Sequence, residues 1–180
     1  MYGEKKSTED AQQAKIWMME TFEKPETLTA RAQSALDALT QQPEVDSSKL
    51  AAIGFCYGGK VALELARTGA PLNVIASFHG NVTTQNPAKK GTISGKVLIC
   101  HGAEDTMVSL DDIQQIDQEL THAEVPHQIL ILEHAKHGFT NPQADERAKK
   151  NGVDLAYNAD ATRKSFTALH ELLSKAFLTP

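Results

Sequence analysis

Leu50-Ala51-Ala52-Ile53-Gly54-Phe55-Cys56-Tyr57-Gly58-Gly59 is the stretch on which the fold turns. Leu50 to Phe55 make a short apolar run that suits a buried strand. Lys60 to Arg67 follow with helical character, and Gly69 stops them. Between the two stands Gly-x-Cys-x-Gly, the form of a nucleophile elbow with cysteine where serine is commoner. A nucleophile on so sharp a turn sits in strained backbone. Small residues two positions before and after it, Gly54 and Gly58, let the turn close. The helix behind points its N-terminus at Cys56, where the dipole and free N–H groups favour a thiolate. The backbone N–H of Tyr57 is placed to donate to an oxyanion. A glycine-rich turn around an inert cysteine carries the same letters, but the strand before and the helix after favour the chemical reading.

Working outward, the chain alternates. Val74 to Phe78, Val97 to Cys100 and Gln128 to Leu132 read as further strands. A helix over 110–122 places Leu110, Ile113, Ile116 and Leu120 on one face. A closing helix over 159–177 is expected to turn Phe166, Leu169, Leu172, Leu173 and Phe177 inward. Residues 80–95 and the polar stretch after Leu132 read as loops. Strand alternating with helix implies a parallel sheet with helices on both faces. On the N-terminal side, periodic apolar residues predict helices over 9–23, ended by Pro25, and over 27–41, closed by Pro43. No strand precedes them, and four parallel strands would leave an apolar edge that folded proteins normally cover. The expectation is a single α/β domain over 1–180, a three-layer sandwich that is incomplete at its N-terminus.

Composition excludes several classes. The chain has 180 residues, 41% hydrophobic and 23% charged, with a net charge of −5. The basic doublets Lys5-Lys6, Lys89-Lys90 and Lys149-Lys150 are isolated, so no nucleic-acid patch is expected. No stretch has the length of a membrane span. The first residues lack the apolar core of a signal peptide. Two cysteines favour a reducing compartment, and a cytoplasmic location is expected.

Two further groups join Cys56. Asp105, in Cys100-His101-Gly102-Ala103-Glu104-Asp105, follows the third strand at the sheet edge where α/β enzymes place their sites. An aspartate there suits an acid that orients an imidazole. Asp111 and Asp112 fit the helix-capping role better, and Glu104 is the rival acid. His137, in His134-Ala135-Lys136-His137-Gly138-Phe139, follows the fourth strand and suits a general base, with His134 as its rival. The order Cys56, Asp105, His137 is the nucleophile–acid–base order of α/β-hydrolases. Zinc is the competing chemistry, since His79, His101, His134 and His137 all follow strands. No paired zinc spacing is present, however, and no metal site is assigned. Cys100, inside a strand, reads as core.

These segments resemble the dienelactone hydrolase family, whose Cys, Asp and His stand in Gly54-Phe55-Cys56-Tyr57-Gly58-Gly59, His101-Gly102-x-x-Asp105 and His137-Gly138-Phe139. Ser77-Phe78-His79-Gly80, Thr140-Asn141-Pro142-x-Ala144-Asp145 and Ala156-Tyr157-Asn158 look like one bacterial subgroup of it. The resemblance implies that Met1-Tyr2-Gly3 would end an early strand. Opening strands, a second oxyanion donor and a Glu contacting the resting nucleophile would then precede it. It also implies that the position four beyond the base binds the carboxylate of a dienelactone through arginine. Here that position is Asn141, which lacks the charged fork, so Asn141 is at most an uncharged substrate contact.

The expected function is ester or lactone hydrolysis through a Cys-His-Asp triad and a thioester acyl-enzyme, on a small-molecule substrate and with no cofactor. The competing expectation is a non-catalytic remnant of the fold that serves a structural or partner-binding purpose.

Overall fold

Strand pairing follows chain order. In a computed structural model describing residues 6–178, the elements are α1 (Ala11–Glu23), α2 (Pro25–Thr40), β1 (Ala51–Phe55), α3 (Tyr57–Arg67), β2 (Val74–Phe78), β3 (Lys96–Gly102), α4 (Leu110–His122), β4 (His127–Leu132), α5 (Ala144–Asn151) and α6 (Ala159–Phe177). The strands form one four-stranded sheet in the order β1-β2-β3-β4, every pair parallel. This is the α/β-hydrolase-like arrangement that the alternating pattern predicts. Met1-Tyr2-Gly3 lies outside the described residues.

Within what the sequence presents as one domain there are two compact units, divided between Ser47 and Ser48. The first holds α1 and α2. Asp10 caps α1 by accepting from the Gln12 N–H at 2.9 Å. Pro25 does more than end α1: it occupies the first turn of α2, where a missing N–H costs nothing and its fixed φ suits the helix. Leu28, Ala32 and Leu36 are the buried residues of α2, spaced by four along one face.

The second unit holds the sheet and its flanking helices. Successive strand residues face opposite sides. Ala76, Phe78, Leu98 and Cys100 share one face and pack with Ala161 and Leu169 of α6. Ser77, between two of them, points the other way and meets Gly59 of α3. Helices therefore cover both faces of β2 and β3. β2 is buried at every residue and β3 at all but Lys96, which explains their unbroken apolar runs.

Four local expectations need correction. Strand β1, expected to be buried, is exposed at Ala51, Ile53 and Phe55. Helix α3 begins at Tyr57, directly after the elbow, not at Lys60. Phe166 is 42% exposed; it does not join the interior of α6 but stacks on Phe78 with centroids 5.2 Å apart. Finally, α5 occupies a stretch expected to be loop. Its residues Ala144-Asp145-Glu146-Arg147-Ala148-Lys149-Lys150-Asn151 have no apolar stripe for periodicity to detect. Acidic residues in its first turn, basic ones in its last and a left-handed Gly152 at its C-cap, φ 64°, satisfy its ends and dipole instead.

Candidate active site

Parallel strands bring all their carboxyl ends to one edge, so the residues following β1, β2, β3 and β4 meet there. Cys56 follows β1, His79 follows β2, Asp105 lies three residues beyond β3, and His137 five beyond β4.

Cys56 occupies the turn between β1 and α3 with φ 52° and ψ −120°. A non-glycine residue keeps such a backbone only where its surroundings hold it. Here the Cys56 N–H donates to the Phe78 carbonyl at 3.0 Å, and the Gly59 N–H donates to the Cys56 carbonyl at 3.0 Å. A Cβ on Gly54 would lie 2.0 Å from the Gly58 carbonyl oxygen, whereas one on Gly58 would meet nothing within 4 Å. The second constrained glycine is Gly59, whose Cβ would lie 2.3 Å from Ser77 Oγ and 3.0 Å from Gly80 Cα. The turn thus needs Gly54 and Gly59, and the expected need for a small residue at Gly58 is corrected.

The structure brings Cys56, His137 and Asp105 together. His137 Nε2 lies 3.1 Å from Cys56 Sγ, and His137 Nδ1 donates to Asp105 Oδ2 at 2.9 Å. Asp105 Oδ1 accepts from the Met107 and Val108 N–H groups at 2.8 and 3.1 Å. Asp105 therefore also closes the turn that leads towards α4. Capping of α4 falls to Ser109, with Asp112 closing a capping box.

The rivals pair with each other, away from the sulfur. His134 Nδ1 lies 3.1 Å from Glu104 Oε1, and their side chains are 85% and 50% exposed. Of the four histidines considered for zinc, His79 bonds Thr140, His134 bonds Glu104, His137 bonds Asp105 and His101 is enclosed. Among the described residues, no group of three or more His, Cys, Asp or Glu side chains is arranged to hold a metal.

Charge follows this geometry. Desolvation in the site works against ionising Cys56. The hydrogen bond and charge of His137, with the Tyr57 backbone N–H, outweigh it and hold the thiol below its ordinary value. Burial likewise opposes charge on His137, but the hydrogen bonds of Asp105 and Cys56 overcome it and raise the imidazole to about 9. Asp105 is held below the usual carboxylate range: burial opposes, and the His137 hydrogen bond and charge prevail. All three shifts run the same way, each neighbour favouring the charged form of the next: thiolate, imidazolium and carboxylate. Cys100 is the opposite case, a fully enclosed thiol that burial pushes up to about 12.

Asn141 shapes the turn into α5. Its Oδ1 accepts from the Gln143 N–H at 3.0 Å, and its own N–H donates to the Gly138 carbonyl at 2.8 Å. His79 has no assigned role in the sequence beyond the zinc alternative, yet its ring lies 5.2 Å from that of His137. Its place immediately after a parallel strand is the signal that marks it.

Residues 1–177 match the dienelactone hydrolase family. A solved structure of a dienelactone-hydrolase-like promiscuous phosphotriesterase from metagenomic libraries is 43% identical, with a TM-score of 0.83 over 93% of this chain and 69% of that one. An uncharacterized protein of Caenorhabditis elegans is 30% identical over 152 residues, 83% of this chain and 94% of that protein. A carboxymethylenebutenolidase of Rhodococcus opacus is 26% identical over 102 residues, 52% of this chain and 40% of that enzyme. The last match spans less than half of that relative's length.

Proposed function

We propose, since the chain belongs to the dienelactone hydrolase family, that it hydrolyses a small ester or lactone, with Cys56 as nucleophile, His137 as base and acid, and Asp105 as the group that orients His137. The observation that carries this reading is the continuous line from sulfur to imidazole to carboxylate, at 3.1 and 2.9 Å. A buried histidine bonded to a carboxylate on one nitrogen and a thiol on the other is the arrangement that activates a cysteine.

The thiolate attacks the carbonyl carbon, forming a C–S bond and driving the π pair onto oxygen. The Tyr57 N–H, at the first turn of α3, donates to that oxyanion, and the helix dipole favours its charge. Collapse breaks the C–O bond, and the leaving alkoxide takes the proton from His137. A thioester remains. His137, now neutral, removes a proton from water, which adds to the thioester carbonyl. Collapse expels the Cys56 thiolate and releases the acid. Asp105 accepts from Nδ1 throughout, fixing the ring and favouring its charged form without itself being protonated.

The substrate class follows from what the site offers. Asn141 is uncharged, and its side-chain oxygen is committed to the Gln143 N–H, so that position has no cation to fix a carboxylate. An uncharged ester or lactone is proposed. The test is p-nitrophenyl ester turnover by the chain and by Cys56→Ala, with mass spectrometry of the acyl-enzyme in the presteady state. Turnover that vanishes in the variant, with an acyl group on the Cys56 peptide, supports the reading. Turnover indifferent to the substitution would overturn Cys56 as the nucleophile, and no turnover at all would return the non-catalytic alternative.

A further inference from the structure

We infer that His79 is a positioning residue for the base, holding the His137 ring against Cys56 through the Thr140 hydroxyl and an edge-to-face ring contact. The inference rests on the reading of Cys56 and His137 as nucleophile and base.

His79 is pinned where nucleophile, acid and base converge. Its N–H donates to the Cys100 carbonyl at 2.8 Å, on the strand that leads to Asp105, and the residue before it accepts from the Cys56 N–H at 3.0 Å. Its backbone is left-handed, φ 40°, an uncommon state for a non-glycine residue. The neighbouring Gly80 explains the tightness: its Cβ would lie 3.1 Å from the Cys56 carbonyl oxygen.

The ring then spans two pieces of the site. Nε2 and Thr140 Oγ1 are 2.8 Å apart, which ties the end of β2 to the loop carrying His137. The ring stands edge-on to His137 at 5.2 Å and 63°, and to Phe139 at 5.0 Å and 83°. His137 thus has Asp105 on one nitrogen, Cys56 on the other and His79 against its ring, so rotation about its side-chain bonds meets resistance.

A histidine is a costly way merely to fill this space. His79 is only 3% exposed and its Nδ1 has no hydrogen-bond partner among the described residues, whereas a phenylalanine would leave no nitrogen to satisfy. What histidine adds is the link to Thr140. The charged or titratable groups acting on it are His137 and Asp105; burial first, then the His137 charge, carry it down to about 4. It is uncharged at neutral pH and sets no second cation beside the imidazolium.

The test is the pH dependence of iodoacetamide alkylation at the Cys56 peptide, measured for the chain and for His79→Phe, Thr140→Val, Thr140→Ser and the Phe/Val double variant. His79→Phe keeps the ring and loses the link; Thr140→Val loses the link and leaves the ring in place. Both are expected to raise the thiol midpoint by about half to one unit, a roughly three- to tenfold lower thiolate fraction below the midpoint. The double variant should add little to His79→Phe, and Thr140→Ser should keep the original midpoint. A role limited to packing would lower the melting temperature and leave the midpoint where it was. A low midpoint in the chain that stays put in both His79→Phe and Thr140→Val would overturn the role of His79 alone. An ordinary thiol midpoint in the unsubstituted chain would overturn the nucleophile–base reading and this inference with it.

Discussion

At the scale of single residues, the chemistry is a matter of which group holds the proton. His137 is raised from 6.5 to about 9, so its charged form persists well above neutrality, while Cys56 is lowered from 9.0. Under the proposed mechanism, acylation then has two limbs. kcat/KM rises as Cys56 ionises and falls near pH 9 as His137 loses the proton that the leaving group needs. The alkaline limb should appear with a methyl ester, whose alkoxide must be protonated, and be absent with a p-nitrophenyl ester, whose phenolate leaves unaided. Identical alkaline limbs for the two esters would count against His137 as the acid. Stability follows a different residue. His79 has a folded value of about 4 against 6.5, so the unfolded chain takes up its proton first. Its contribution is therefore complete above about 6.5 and is lost as pH falls towards 4, by up to roughly 3 kcal/mol. Urea unfolding at pH 7 and pH 4.5 reads this, and His79→Phe should flatten that part of the dependence. The three proposed triad positions were legible because each follows a strand in the right order. His79 was marked only by its place after a strand, while the ring contact and the hydroxyl 61 residues away that it meets lie outside any local pattern.

At the scale of elements, the elbow is the unit whose sequence and geometry can be compared atom by atom. Gly-x-Cys-x-Gly names the turn correctly but misassigns one glycine. Gly54 faces the Gly58 carbonyl at 2.0 Å from where a Cβ would stand, and Gly58 faces open space. Since Gly58 lies inside α3 and does not have a positive φ, Gly58→Ala should be neutral or stabilising by about 0.4–1 kcal/mol. Gly54→Ala places a methyl group on backbone atoms that cannot yield, so α3 must shift and carry the Tyr57 N–H with it. The expected result is a stable Gly58→Ala with unchanged Cys56 alkylation, and a Gly54→Ala that either unfolds or loses its reactive thiol. Equal behaviour of the two would contradict the packing described for the turn. The same comparison explains which elements could be read. β2, β3 and α4 carry apolar runs or stripes, so burial writes them into the sequence, whereas β1 carries its apolar run with Ile53 and Phe55 exposed. Helix α5 buries only Ala144 and is otherwise mostly polar, and the Phe166 face of α6 is periodic but remains partly exposed; periodicity misses the first and overinterprets the second.

At the scale of the whole sheet-bearing unit, one buried ionic cluster joins segments far apart in sequence. Arg67 at the end of α3 grips both carboxylate oxygens of Glu119 in α4, at 2.8 Å each. It also bonds Glu64 at 3.1 Å and the Val82 carbonyl at 3.0 Å. Glu119 in turn accepts from the Ala88 N–H at 2.8 Å. The side chains of Arg67, Glu64 and Glu119 are 3%, 5% and 10% exposed, so water cannot replace a missing partner. Arg67→Met leaves two carboxylates enclosed, with Lys60 beside Glu64 at 3.5 Å as the remaining cation. Removing one member of such a cluster typically costs about 3–5 kcal/mol, whereas replacing the pair by apolar residues costs much less. The expectation is a large fall in the urea midpoint for Arg67→Met, with unchanged slope, and partial recovery in Arg67→Met/Glu119→Leu. Glu119→Leu also frees the Ala88 amide, so its hydrogen exchange should accelerate even where global stability has recovered. A loss under 1 kcal/mol in Arg67→Met would mean that the cluster behaves as an exposed ion pair does, and that it contributes little to holding the segment between β2 and β3 against the helices.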